Sequence, residues 1–156
     1  MMLFLDSSAL VKFYFKEVGS DSILRRVEAA GESTSVSLLS FAEVHAAIAR
    51  KRRENQISAA AFANLREQFE RDWSNLVEVI DLNSRTMAAL PGLVARFPLK
   101  AGDAVQLSTA LWLNEELKDV VSQSGKSPLE FAVSDQILVS AARACGLTVF
   151  NPEEEN

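Results

Sequence analysis

Two short apolar runs, Met2–Leu5 and residues 131–133, are each followed by an acidic residue and then a helical stretch. In the first, Leu5 gives way to Asp6 and then to Ser7-Ser8-Ala9-Leu10. In the second, Phe131-Ala132-Val133 passes through Ser134 to Asp135 and a helical pattern over 136–145. Runs this short and this continuously apolar suit strands buried on both faces, which is the habit of parallel sheets covered by helices. The rest of the chain alternates in the same way. Helical signals fall at 8–15 and 20–30, broken at Val18-Gly19, and a strand at 34–36 precedes a helix from Ser37, its N-cap, through about Arg53. A helix over 58–73 leads to a β-branched strand at 76–80. Asn83 caps a helix ending before Pro98, a strongly patterned helix spans 101–117, and Gly146 stops the helix before a last strand at 148–150. This order predicts a three-layer α/β/α sandwich around a central, mostly parallel sheet of four to five strands.

In such sheets ligands bind beyond the carboxyl ends of strands, beside a switch in strand order. Asp6 and Asp135 stand at two such ends. Two further acids lie where helices begin: Glu43 one turn into the helix from Ser37, and Asp103 in the first turn of the helix at Lys100-Ala101-Gly102-Asp103. Four carboxylates brought to one place repel each other unless a cation sits between them, so together they predict a site for a hard divalent ion. Oxygen donors match Mg²⁺ or Mn²⁺ rather than a thiophilic metal. Such an ion activates water and offsets charge on a leaving oxygen, which suits phosphodiester hydrolysis. Taken singly, Asp6, Asp103 and Asp135 read equally as helix caps or dipole partners. Glu43 does not, because Phe41, Val44 and Ile48 surround it in sequence.

At 156 residues the chain reads as one domain over 1–152 with an acidic tail over 153–156. No apolar run approaches the roughly 20 residues needed to cross a bilayer, and the start lacks the basic and apolar regions of a secretory signal. A single cysteine, Cys145, excludes an internal disulfide and fits a cytoplasmic protein. The net charge of −5 is unhelpful for binding nucleic acid, although Arg50-Lys51-Arg52-Arg53 is a local basic cluster.

The motifs Leu-Asp-Ser-Ser-Ala-Leu-Val-Lys at 5–12, Ser-Phe-Ala-Glu-Val at 40–44, Leu-Lys-Ala-Gly-Asp-Ala-Val-Gln-Leu-Ser-Thr-Ala at 99–110 and Val-Ser-Asp-Gln-Ile-Leu from 133 resemble the PIN domain. They look most like the small single-domain, VapC-type toxins of toxin–antitoxin pairs, and the resemblance runs from Leu3 to Pro152. It implies an endoribonuclease dependent on Mg²⁺ or Mn²⁺. Asp6 and Asp103 match the family's best-defined metal ligands, Glu43 and Asp135 its other two acids. Ser8 matches a hydroxyl that orients an acid or a phosphate, or it caps a helix. The resemblance further implies an RNA substrate, a homodimer and a cognate antitoxin. Gln106 departs from the family, standing where a His is frequent, and the link over 114–130 is longer than usual. The alternative is a PIN-like module that binds RNA or protein without catalysis. A phosphatase using Asp6 as nucleophile is disfavoured, because Ser8 occupies the position of its second Asp.

Other residues read as follows. His45, the sole histidine, lies on a different helical face from Glu43 and serves packing or surface. Cys145 is expected to be buried and inert. Phe62, Leu65, Phe69 and Trp73 form a core or partner-facing stripe. Phe13, Tyr14 and Phe15 cannot all face one way in a regular helix, which leaves one for a partner. Lys12 and Lys16 are placed to reach a phosphate near the metal.

Overall fold

The computed structural model describes residues 1–31, 33–75, 78–120 and 127–154, the side chains of 119 and 120 excepted. Five strands, β1 (Met2–Leu5), β2 (Thr34–Ser37), β3 (Glu78–Ile80), β4 (Leu129–Ala132) and β5 (Thr148–Phe150), form one sheet in the order β3-β2-β1-β4-β5. Every neighbouring pair is parallel. The helices are α1 (Ser7–Leu10), α2 (Ser20–Ala30), α3 (Leu39–Arg53), α4 (Ala59–Asn75), α5 (Leu90–Arg96), α6 (Ala101–Val120) and α7 (Gln136–Ala144). A 3₁₀ turn over Val11–Phe13 continues α1.

Side chains alternate across the central strand and divide the core in two. Leu3 and Leu5 pack with Ile23, Val44, Ile48 and Phe69 on the side of α2, α3 and α4. Phe4 turns to the other side, with Leu107, Phe131, Leu138 and Leu93 beneath α5, α6 and α7. Burial of β1 on both faces explains why it reads as an unbroken apolar run. The chain winds outward from β1 through β2 to β3, then crosses to β4 and β5, so strand order reverses between β1 and β4. Asp6 and Asp135 follow those two strands. The expected α/β/α sandwich is therefore present, with a wholly parallel sheet of five strands.

Several expected boundaries move. No helix starts at Asn83: its Oδ1 instead accepts from the Arg85 and Thr86 amides, closing a turn. The helix begins only at Leu90, with Pro91 in its first turn, where a missing N–H does no harm. The strand expected over 76–80 is seen as Glu78–Ile80, positions 76 and 77 lying outside the described residues. The extension over 114–130 becomes in part a longer α6, ending at Val120, and its 121–126 portion lies outside the described residues. Phe13, Tyr14 and Phe15 all lean on the same core, because the 3₁₀ turn and the bend after it rotate them differently from an α-helix. Cys145 is half-buried rather than buried.

Gly19 pins the last described residues. Its φ of +85° favours glycine, and a Cβ there would lie 2.7 Å from the Pro152 backbone. Beyond it Glu153 reaches Lys12 and Glu154 reaches Arg143, so the described part of the acidic tail is tied to the body. No described helix is long and apolar enough to cross a membrane.

Candidate functional site

Each of the four acids owes its position to a different break in the chain. Asp6 follows β1 and caps α1. Its Oδ2 accepts from the Ser8 amide at 2.9 Å and the Ser8 hydroxyl at 2.5 Å. Asp135 caps α7, its Oδ1 accepting from the Leu138 amide at 2.9 Å. Glu43 stands one turn into α3, and Asp103 lies in the first turn of α6. The capping role and a role in a site thus coexist in Asp6 and Asp135, because a cap occupies only one carboxylate oxygen. Among the described residues, Oδ1 of Asp6 and Oδ2 of Asp135 accept no hydrogen bond from the protein.

Ser8 joins the two halves of the crevice. Its hydroxyl donates to Asp6 and accepts from the Ser134 amide at 3.0 Å, linking the end of β1 to the segment that leads into Asp135. Glu43 is held by polar groups whose contact with it the sequence did not disclose. The Ser7 hydroxyl donates to Glu43 Oε2, and Gln106 Nε2 reaches the same oxygen at 2.8 Å. Gln106 Nε2 also lies 2.9 Å from Ser7 Oγ and 3.0 Å from Ser40 Oγ. Gln106 is fully buried, and among the described residues its Oε1 has no hydrogen-bond partner. A signal for these residues existed in the spacing: Ser40 is three positions before Glu43, and Gln106 three after Asp103, so each shares a helix face with its acid.

Gly102 completes the arrangement. A Cβ at this position would meet Glu43 Oε1 at 2.5 Å, so glycine here makes room for the carboxylate.

The acids sense one another. Burial pushes Asp6 up from the ordinary 3.8 to about 6, with the charges of Glu43 and Asp103 adding to the rise against the Ser8 hydrogen bonds. Asp103 is raised by burial, then by Asp135 and Glu43, with Lys100 pulling the other way. Acids raised chiefly by burial, and further by one another's charge, stand in a pocket short of positive charge. Among the described residues, however, no group of three or more His, Cys, Asp or Glu side chains is arranged closely enough to hold an ion outright. The donor set fits an ion that takes one or two carboxylates directly and keeps several waters, as Mg²⁺ does. It does not fit a closed four-carboxylate cage.

Ser7, Ser8, Glu43 and Asp135 line one end of a cleft of about 660 Å³. Of the lysines expected near it, Lys12 lines the cleft but is buried, with its Nζ 2.7 Å from Glu153 and 2.8 Å from the Val18 carbonyl. Lys16 is exposed and pairs with Asp21 at 3.7 Å. His45 packs between Phe41 and Phe69 and lies 3.5 Å from Glu70, away from the acids.

The family model described as PIN domain matches residues 3–118. No curated protein sequence matches the chain at a significant level. Solved structures share its fold. FitAcB from Neisseria gonorrhoeae is similar at a TM-score of 0.70 and 16% identity, covering 97% of this chain and 98% of that one. VapBC2 from Rickettsia felis, bound to a DNA fragment from its promoter, gives 0.64 and 14%, again covering 97% and 98%. A toxin–antitoxin complex from Klebsiella pneumoniae gives 0.61 and 18% with the same coverage. At these identities the likeness is one of fold.

Proposed function

The chain belongs to the PIN domain family, and from that premise we propose that it is a metal-dependent endoribonuclease acting as the toxin of a toxin–antitoxin pair. The observation that supports this reading is that Asp6 and Asp135 follow the two strands between which strand order reverses, with Glu43 and Asp103 near enough to add to the rise that burial gives Asp6. Asp6 and Asp103 would hold the ion, with Glu43 and Asp135 binding it or its waters. Mg²⁺ or Mn²⁺, when bound, supplies a lowered pKa for water and neutralises charge on the leaving oxygen.

What the chain's own residues do follows from their contacts. Ser8 fixes one oxygen of Asp6 and turns the other free. Ser7 and Gln106 fix Oε2 of Glu43, leaving Oε1 on the side of Gly102. The solved complexes of similar fold support an antitoxin as protein partner, and a homodimer in the cytoplasm is part of the same proposal, carried by the family resemblance alone. All four acids being present weighs against a purely binding role.

The direct test is cleavage of labelled total RNA by the purified chain with Mn²⁺. Discrete fragments that vanish with EDTA are expected. Folded, antitoxin-free protein that leaves every RNA intact would defeat the enzymatic reading.

Gly102→Ala separates site geometry from folding. The substitution is expected to leave stability unchanged or up to about 1 kcal/mol higher, since alanine is the better helix former. The new methyl group displaces the Glu43 carboxylate, and cleavage is expected to fall roughly tenfold or more. Parallel thermal melts and cleavage rates check both halves.

A further inference from the structure

The cleft does not end at Glu43 and Asp135. It continues along α3 past Ala46 and Ala47 to Arg50, Lys51 and Arg53, with Lys12, Glu17 and Glu153 also lining it. The charges at this far end are not equally available. Glu153 accepts from Lys12, and Glu17 lies 3.2 Å from Lys51, which also sits over the Phe15 ring. Those carboxylates and lysines offset one another. Arg50 and Arg53 are exposed, and among the described residues neither guanidinium is engaged by a carboxylate. The surplus charge of this end is therefore those two arginines.

Their spacing is set by the helix. Arg50 is seven residues beyond Glu43, nearly two full turns, and so lies on the same face about 10 Å along the axis; Arg53 lies about 15 Å along. The alanines between them leave the floor of the cleft low. We propose that Arg50 and Arg53 form a phosphate-binding subsite that holds single-stranded RNA along α3, at phosphates next along the strand from the one at the acids. This rests on the ribonuclease reading above. A guanidinium is suited to the task because its forked donors match two phosphate oxygens at once. It also answers the difficulty posed by a net charge of −5: the chain is acidic overall, yet at this end of the cleft, among the described residues, the charge not offset by an ion pair is positive. The basic run at the end of α3 is then more than a complement to the helix dipole.

The test is binding of a labelled oligouridylate about ten nucleotides long, followed by fluorescence anisotropy across a salt series. The full chain carrying Asp103→Asn, with Mg²⁺ present, serves as the uncleaving background. Removing both arginines as Arg50→Ala with Arg53→Ala is expected to weaken binding at least about tenfold. The slope of log affinity against log salt should shrink by about 1.4, since each phosphate contact on a single strand contributes about 0.7. Arg50→Lys with Arg53→Lys should restore that slope. An alanine variant with unchanged affinity and slope overturns the subsite, whatever it does to the binding of a protein partner. Failure of the lysine pair to restore the slope overturns it as well. If the chain binds RNA through these residues but cuts none, the subsite stands and the ribonuclease reading fails. If it cuts RNA with Arg50 and Arg53 replaced and the slope intact, only the subsite fails.

Discussion

Replacing Asp103 by Asn is expected to lower metal-dependent RNA cleavage by roughly a hundred- to a thousandfold, a loss of the size seen when one preorganised electrostatic group is removed from a reaction centre. The same change should make the metal-free protein more stable. Asp103 raises Asp6 by its charge and is itself raised by Asp135 and Glu43, so an uncharged isostere relieves repulsion on three sides. Asn keeps the size of the side chain and preserves the helix start. The two readouts must move in opposite directions. A variant that loses both activity and stability would show Asp103 to be a structural cap, and one that retains cleavage would remove it from the reaction.

The second large effect concerns pH. Asp6 binds its proton more tightly in the folded chain than in the unfolded one, its value rising from 3.8 to about 6. Stability from this group is therefore complete below about pH 4 and is lost as pH climbs through about 6. The rise corresponds to about 3 kcal/mol. Metal-free protein is expected to melt at a higher temperature near pH 5 than near pH 7, with Asp103 acting in the same direction. Millimolar Mg²⁺ or Mn²⁺ should raise the melting temperature most at the higher pH, where the carboxylates are free of competing protons. Asp6→Asn should flatten the metal-free profile and abolish most of the ion's effect. A wild-type profile that rises from pH 5 to pH 7 in EDTA, or an equal slope in Asp6→Asn, contradicts a buried Asp6 held above its ordinary value.

Much of the frame was legible from local pattern. Met2–Leu5, Ser20–Ala30 and Thr148–Phe150 begin and end where apolar runs, caps and Gly146 place them. The stretch from Asn83 was not legible, because an Asn that caps a helix and an Asn that closes a turn use the same side-chain oxygen. Which strands are neighbours was also out of reach, since alternation predicts a parallel sheet but not its order. The acids could be found because each sits at a marked boundary. The partners that hold them could not: Gln106 meets Ser7 across 99 positions of chain, and only the packing of α6 against the end of β1 brings them together. Likewise the sequence offered Lys12 for a phosphate and marked Arg50 only as part of a basic cluster. The structure distinguishes them, because Lys12 is buried against Glu153 and Arg50 faces the open cleft.

The central position of β1 bears on when the proposed activity can first appear. Its two neighbours are β2, which follows soon after it in the chain, and β4, which is made only after α6. Pairing across so long an interval is slow, as the loop must be closed before the contact can repay it. During synthesis, Asp6, Glu43 and Asp103 all leave the ribosome before Asp135, and the crevice between β1 and β4 has only one wall until then. On the ribonuclease reading proposed above, a chain still being translated is therefore expected to be inactive until its last third has folded.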